Sequence, residues 1–222
     1  MQKTVLPVKY RKKLLERFLR YVILNTTSNS DASEDQFPTT ACQLDMARML
    51  VDELRELGVS NVCISNSGYV YGTIPENLPD NHLAKGKIPV LGLMSHMDTS
   101  QAQSGESVKP QIIANYHGQD ITYPDDPSLV LKVSENLDLL NCKDFTIITA
   151  GGKTLLGADD KAGIAEIMTV AEYLICENLY HGEIRICFNP DEEVGRGTDH
   201  IDLEKFAVQY AFTLDGSKEG EI

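Results

Sequence analysis

The chain has 222 residues, enough to bury one sizeable core. Its hydrophobic share of 42% and charged share of 24% are ordinary for a globular protein. A formal net charge of −13 argues against a nucleic-acid partner, which would want a basic face, and no apolar run approaches membrane-spanning length.

The first predicted element runs from about Lys9 to Leu24. Leu14, Leu15, Phe18, Leu19, Val22 and Ile23 recur at i, i+3, i+4 spacing, which marks an amphipathic helix. A loop rich in Ser, Thr, Asn and Asp follows, to about Thr40. Thr40-Ala41-Cys42-Gln43 reads as a capping box that opens a second helix, and Gly58 stands where a terminating glycine belongs. Val62 to Ile64 and Tyr69 to Ile74 are strand candidates around an Asn66-Ser67-Gly68 turn. Ile88 to Met94 is nearly all apolar, as a strand covered on both faces would be.

Residues 100–152 are polar and irregular. So long a stretch predicts small hairpins, and it could wall one side of a site. Asp160 to Glu177 is the clearest helix, with Ile164, Ile167, Met168, Ala171, Leu174 and Ile175 on one face. Glu183 to Asn189 and Ala207 to Leu214 complete the predicted core strands. The five cysteines are scattered without zinc-binding spacing and read as small buried hydrophobes in a reducing compartment. With no signal-peptide pattern, the expected location is cytoplasmic.

Chemistry concentrates in four acidic stretches. His96-Met97-Asp98 leaves a strand, and alternation puts residues 96 and 98 on one side. A carboxylate there can fix the tautomer of a metal-binding histidine. Asp159-Asp160 opens a helix, where an acid serves equally as N-cap or as a ligand able to bridge two cations. Glu192-Glu193 follows a buried strand. Adjacent acids about 4 Å apart repel by roughly 4 kcal/mol at an effective dielectric near 20, so this pair calls for a compensating cation. One of them could bind metal while its neighbour takes a proton from water. Asp215-Gly216 alone is a common turn. Together the four motifs place one histidine and several carboxylates at strand and helix ends of an α/β sheet, a donor set suited to zinc or manganese ahead of cobalt. Lys161 is expected to face solvent or pair with a nearby acid.

These motifs resemble the peptidase T family, the tripeptide aminopeptidases of the dinuclear zinc peptidase group that also includes glutamate carboxypeptidase-like enzymes. Thr99-Ser100, Asn115-Tyr116-His117-Gly118, the Gly152 to Leu156 lead-in and Thr198-Asp199-His200 extend the likeness over most of the chain. The resemblance implies a three-layer α/β/α sandwich of the zinc-peptidase (phosphorylase/hydrolase-like) type. It also implies two Zn(2+) per complete active site. His96 and Asp215 would hold one metal and Glu193 the other, with Asp159 bridging. Glu192 would be the general base and Asp98 would orient His96.

Against that family, residues 1–222 would be the N-terminal part of a catalytic metallopeptidase domain, stopping before the lid domain and the return segment. The second zinc site would then lack its C-terminal His ligand and the sheet would keep an unpaired edge. The expected substrate is a tripeptide, with no nucleic-acid or membrane partner and with self-association through the open edge. The alternatives are a related dipeptidase or N-acyl amino acid deacylase, or a metal-binding fragment without catalysis. A phosphoryl-transfer protein is disfavoured, since no phosphate-cradling glycine loop with a lysine occurs.

Overall fold

The computed structural model describes residues 6–216. Helix α1 spans Val8–Val22 and helix α2 spans Gln43–Glu56. Gly58 ends α2 as the periodicity predicts. Its φ is +85°, and the amides of Gly58 and Val59 bond back to Arg55 and Leu54, a Schellman closure that only a residue free to adopt positive φ allows without strain.

The start of α2 differs from the expected capping box. Thr40 donates to the carbonyl of Thr27, the cap position makes no side-chain capping bond, and the Gln43 amide donates both to Thr40 Oγ1 and to Asp191. The Gln43 side chain is thus shared between a local partner and one 148 residues away.

Five strands form the central sheet, in the order β1-β2-β8-β3-β9. Strands β1 (Ser60–Ile64) and β2 (Val70–Ile74) are the predicted hairpin. β2 runs antiparallel to β8 (Ile184–Asn189), while β3 (Leu91–His96) runs parallel to β8 and to β9 (Tyr210–Thr213). His96 pairs with Asn189 and Met94 with Thr213, so three parallel strands end at one edge. That alignment delivers the acidic motifs to a common place.

The sheet is covered unequally. On one face α1, α2 and α3 (Ala158–Cys176) bury Leu50, Leu54, Ile164 and Ile167 against Val70, Ile186 and Phe188. Each fully buried side chain of this size contributes roughly 1.5–3 kcal/mol. The opposite face is a thinner layer, in which Phe206 of the short helix α4 (Leu203–Phe206) packs with Tyr69, Tyr71, Met94 and Cys187.

Two strands depart from their predicted bounds in ways that bear on the site or the sheet edge. β3 begins at Leu91, after Pro89, and extends through Ser95 and His96, so the histidine motif is the strand's end. Ala207 closes α4 in a left-handed conformation, and only then does β9 begin. β9 is exposed along its whole length, an edge strand where a core strand was expected.

Residues 100–152 do form small sheets. β4 (Gln111–Ile113) pairs with β7 (Ile147–Thr149), and β5 (Ile121–Tyr123) pairs with β6 (Asp126–Leu131). None of their residues lines the acidic cavity described below, so the expected wall is not there. All five cysteines are free and only Cys187 is fully buried, which corrects the reading of them as buried hydrophobes. No helix of the described residues is long and apolar enough to cross a membrane.

Candidate metal centre

The carboxyl edge of β3, β8 and β9 opens into a cavity of about 290 Å³ lined by Ser95, His96, Asp160, Asn189, Glu192 and Asp215, among others. His96 is buried at its centre. Its Nδ1 lies 3.0 Å from the backbone carbonyl of Asp98 and 3.3 Å from that residue's carboxylate. Both are acceptors, so Nδ1 carries a proton, and Nε2 is the nitrogen that faces the cavity and would meet a cation. Nε2 is 2.9 Å from Asp159 Oδ1 and 3.8 Å from Glu192 Oε2.

Asp98 is fully buried and does more than face the imidazole. Its two carboxylate oxygens accept the backbone amides of Glu192 and Glu193, at 2.9 and 3.1 Å. One carboxylate thereby fixes the histidine and the paired glutamates relative to each other.

The two readings of Asp159-Asp160 divide between the two residues. Both have non-helical backbone angles, and the regular helix starts at Lys161. Asp160 is the N-cap, because its Oδ1 accepts the amide of Gly163, while Oδ2 accepts Ser95 Oγ and the amide of His96. Asp159 is released from capping and its half-exposed side chain turns to His96. The approach is close enough to require glycine at 163: an added Cβ would lie 2.5 Å from both Asp160 Oδ1 and the carbonyl of Leu214.

Two overlapping groups bring donor atoms within 4.8 Å of one another. His96, Asp159 and Glu193 form one, and His96, Asp160 and Asp215 form the other. The structure therefore gathers all of the sequence candidates, with Asp215 reaching the histidine beside Asp160 rather than beside Asp159. Asp160 itself was read only as half of a motif. Its signal was the Asp-to-Gly163 spacing of an N-cap, which says nothing of Ser95.

Electrostatics single this edge out. Burial disfavours a charged imidazole, yet Asp98, Asp160 and Asp159 outweigh it and raise His96 to about 10. Burial raises Asp160 to about 7, with Asp215 adding to the effect against Ser95 and His96. Burial and the nearby Asp159 also push Glu193 up. Among the described residues no lysine or arginine pairs with these acids; their ion pairs all run to His96. Lys161, expected in solvent or beside an acid, is instead buried and donates to the carbonyl of Leu24, just past the end of α1. The first helical turn points it into the core, and its burial lowers it to about 8.

Comparison with solved structures finds the same fold elsewhere. The aminopeptidase PepT from Bacillus cereus superposes with a TM-score of 0.63 at 22% identity, over 94% of this chain and 44% of that one. The sequence narrows the class. Peptidase T of Caldanaerobacter subterraneus subsp. tengcongensis is 47% identical over 211 residues, and that of Halothermothrix orenii is 46% identical over 211 residues; each match takes in 95% of this chain. The chain is thus a homologue of peptidase T, and it spans about half the length of the curated relatives it matches. No protein-family model matches it.

Proposed function

We propose that the chain carries part of a catalytic domain for zinc-dependent release of the N-terminal residue from tripeptides. The observation that carries this reading is the convergence of His96, Asp159 and Glu193 at an edge where, among the described residues, no lysine or arginine pairs with the acids. The set is rich in oxygen with one imidazole nitrogen, which fits zinc or manganese. His96, Asp159, Glu193 and Asp215 would hold the metal, two ions in a complete site. When bound, the metal supplies Lewis-acid polarisation of a scissile carbonyl and a more acidic water.

The protein's own residues would do the rest. Asp98 holds a proton on Nδ1, so that Nε2 of His96, aimed at the cavity, is the nitrogen a cation would take in place of its proton. The Glu192 amide is tied to Asp98, while its carboxylate stays half exposed and free to take a proton from water. Two further features bear on the proposal. Tyr210 and Phe212 are exposed on an edge strand, so self-association through β9 is part of the proposal. The free cysteines agree with a cytoplasmic location.

The test is tripeptide hydrolysis by the zinc-loaded chain beside its Glu192→Gln variant. Release of the first residue that falls at least a hundredfold in the variant supports the proposal. Zinc bound without hydrolysis would reduce the function to metal binding. Cleavage of dipeptides or N-acyl amino acids instead would move the chain to the related hydrolases.

A further inference from the structure

Asp191 immediately precedes the paired glutamates and its own role is unassigned by the site above. It is fully buried and holds a positive φ of 59°, a conformation that a non-glycine residue keeps only when its surroundings enforce it. The enforcement is visible. Its carboxylate accepts the amide of Thr39 at 2.8 Å, the hydroxyl of Thr39, and Nε2 of Gln43 at 2.7 Å. Its own amide donates to Gln43 Oε1 at 3.1 Å, and its carbonyl accepts from Arg196. Thr39 and Gln43 are buried as well.

The segment that grips Asp191 also grips the other half of the site. Thr27 bridges to Thr99, the amide of Ser28 donates to the Thr99 carbonyl, and the amide of Thr99 donates to Thr26. Thr39 and Thr40 in turn bond to Asn29 and Thr27. Residues 26–43 therefore clamp the turn after β3, with His96 and Asp98, to the turn after β8, with Glu192 and Glu193.

We infer that Asp191, through its reciprocal pair with Gln43, is the positioning residue that sets the Glu192 and Glu193 amides against Asp98 and hence their carboxylates over the metal site. This rests on the roles given to Glu192 and Glu193 above. The chemistry is specific: the Gln43 side chain donates through Nε2 to the Asp191 carboxylate and accepts the Asp191 backbone amide on Oε1. A swap that moves the charge to the other partner keeps the pattern, since an amide at 191 can donate to a carboxylate at 43 while its carbonyl accepts Thr39.

The experiment uses the metal-free chain and its zinc complex, with Asp191→Asn, the Asp191→Asn/Gln43→Glu double variant and Glu193→Gln. Amide exchange at Glu192 and Glu193 should speed at least tenfold in Asp191→Asn, while Ile186 to Phe188 of β8 stay protected. Zinc affinity should fall at least tenfold. The double variant should return both readouts to within threefold of the parent. Unchanged exchange at 192 and 193, or equal loss of protection in β8, would overturn the inference. Should Asp191→Asn fail to fold, the double variant decides: folding with both readouts recovered supports the pair, and any other result overturns it. Unaltered zinc affinity in Glu193→Gln would sink the ligand assignment instead, leaving amide exchange to judge Asp191.

Discussion

Helix α3 carries an acid cluster toward each end, and the two are balanced in opposite ways. Toward the C-terminal end Glu172 lies 2.7 Å from Arg17 and also pairs with Lys13. Glu53 from α2 joins through Arg17, Arg20 and the hydroxyl of Tyr21. The acids there are matched by cations and the cluster locks α1, α2 and α3 together. At the N-terminal end Asp159 and Asp160 meet Asp98, Glu192, Glu193 and Asp215 around a single imidazole. The same residue types make a clamp where lysine and arginine supply the countercharge, and they form the proposed cation site where, among the described residues, His96 alone pairs with them.

Substitutions should break this contrast with opposite signs. The largest effect is expected from Arg17→Met, which removes the buried cation shared by Glu172 and Glu53 and leaves them only the more exposed Lys13 and Arg20. Removing one partner of a buried ion pair costs about 3–5 kcal/mol, readable as a lower urea midpoint. Glu172→Gln comes next, and pH sharpens it. Lys13 and Arg17 outweigh burial and hold Glu172 below its usual value of 4.5. A depressed carboxylate contributes stability that is full above the unfolded value and lost as pH falls through the folded one. The parent should therefore lose melting temperature below about pH 4.5, and Glu172→Gln should start lower at pH 7 and show a flatter acid limb.

The same exchange at the other end, Glu193→Gln, should leave the metal-free protein unchanged or stabilise it by up to about 1 kcal/mol, because it removes a repelled charge. Its melting temperature in chelator checks this. A clear loss there would mean that Glu193 is held by something other than a bound cation.

Local pattern made much of the scaffold legible. The apolar spacing of α1, the Gly58 stop, the β1-β2 turn and the acid-bearing strand ends all depend on near neighbours, and sequence shows those. Features set by distant partners were hidden. Thr40 and Gln43 spell a capping box, but Gln43 also reaches Asp191, a partner the local pattern does not show. Lys161 looks like a surface lysine, yet the end of α1 receives it. Asp159 and Asp160 could not be separated until Ser95 and Gly163 took Asp160. In the β9 region the apolar run from Ala207 resembles a core strand because sequence does not reveal which side of a strand has a neighbour.

Zinc titration calorimetry of the chain, beside His96→Ala and Asp159→Ala variants, tests the cation site most directly. The account predicts zinc binding by the parent, reversed by chelator, and at least a tenfold weaker affinity in each variant. Absence of binding by the parent, or binding that neither substitution alters, would contradict it.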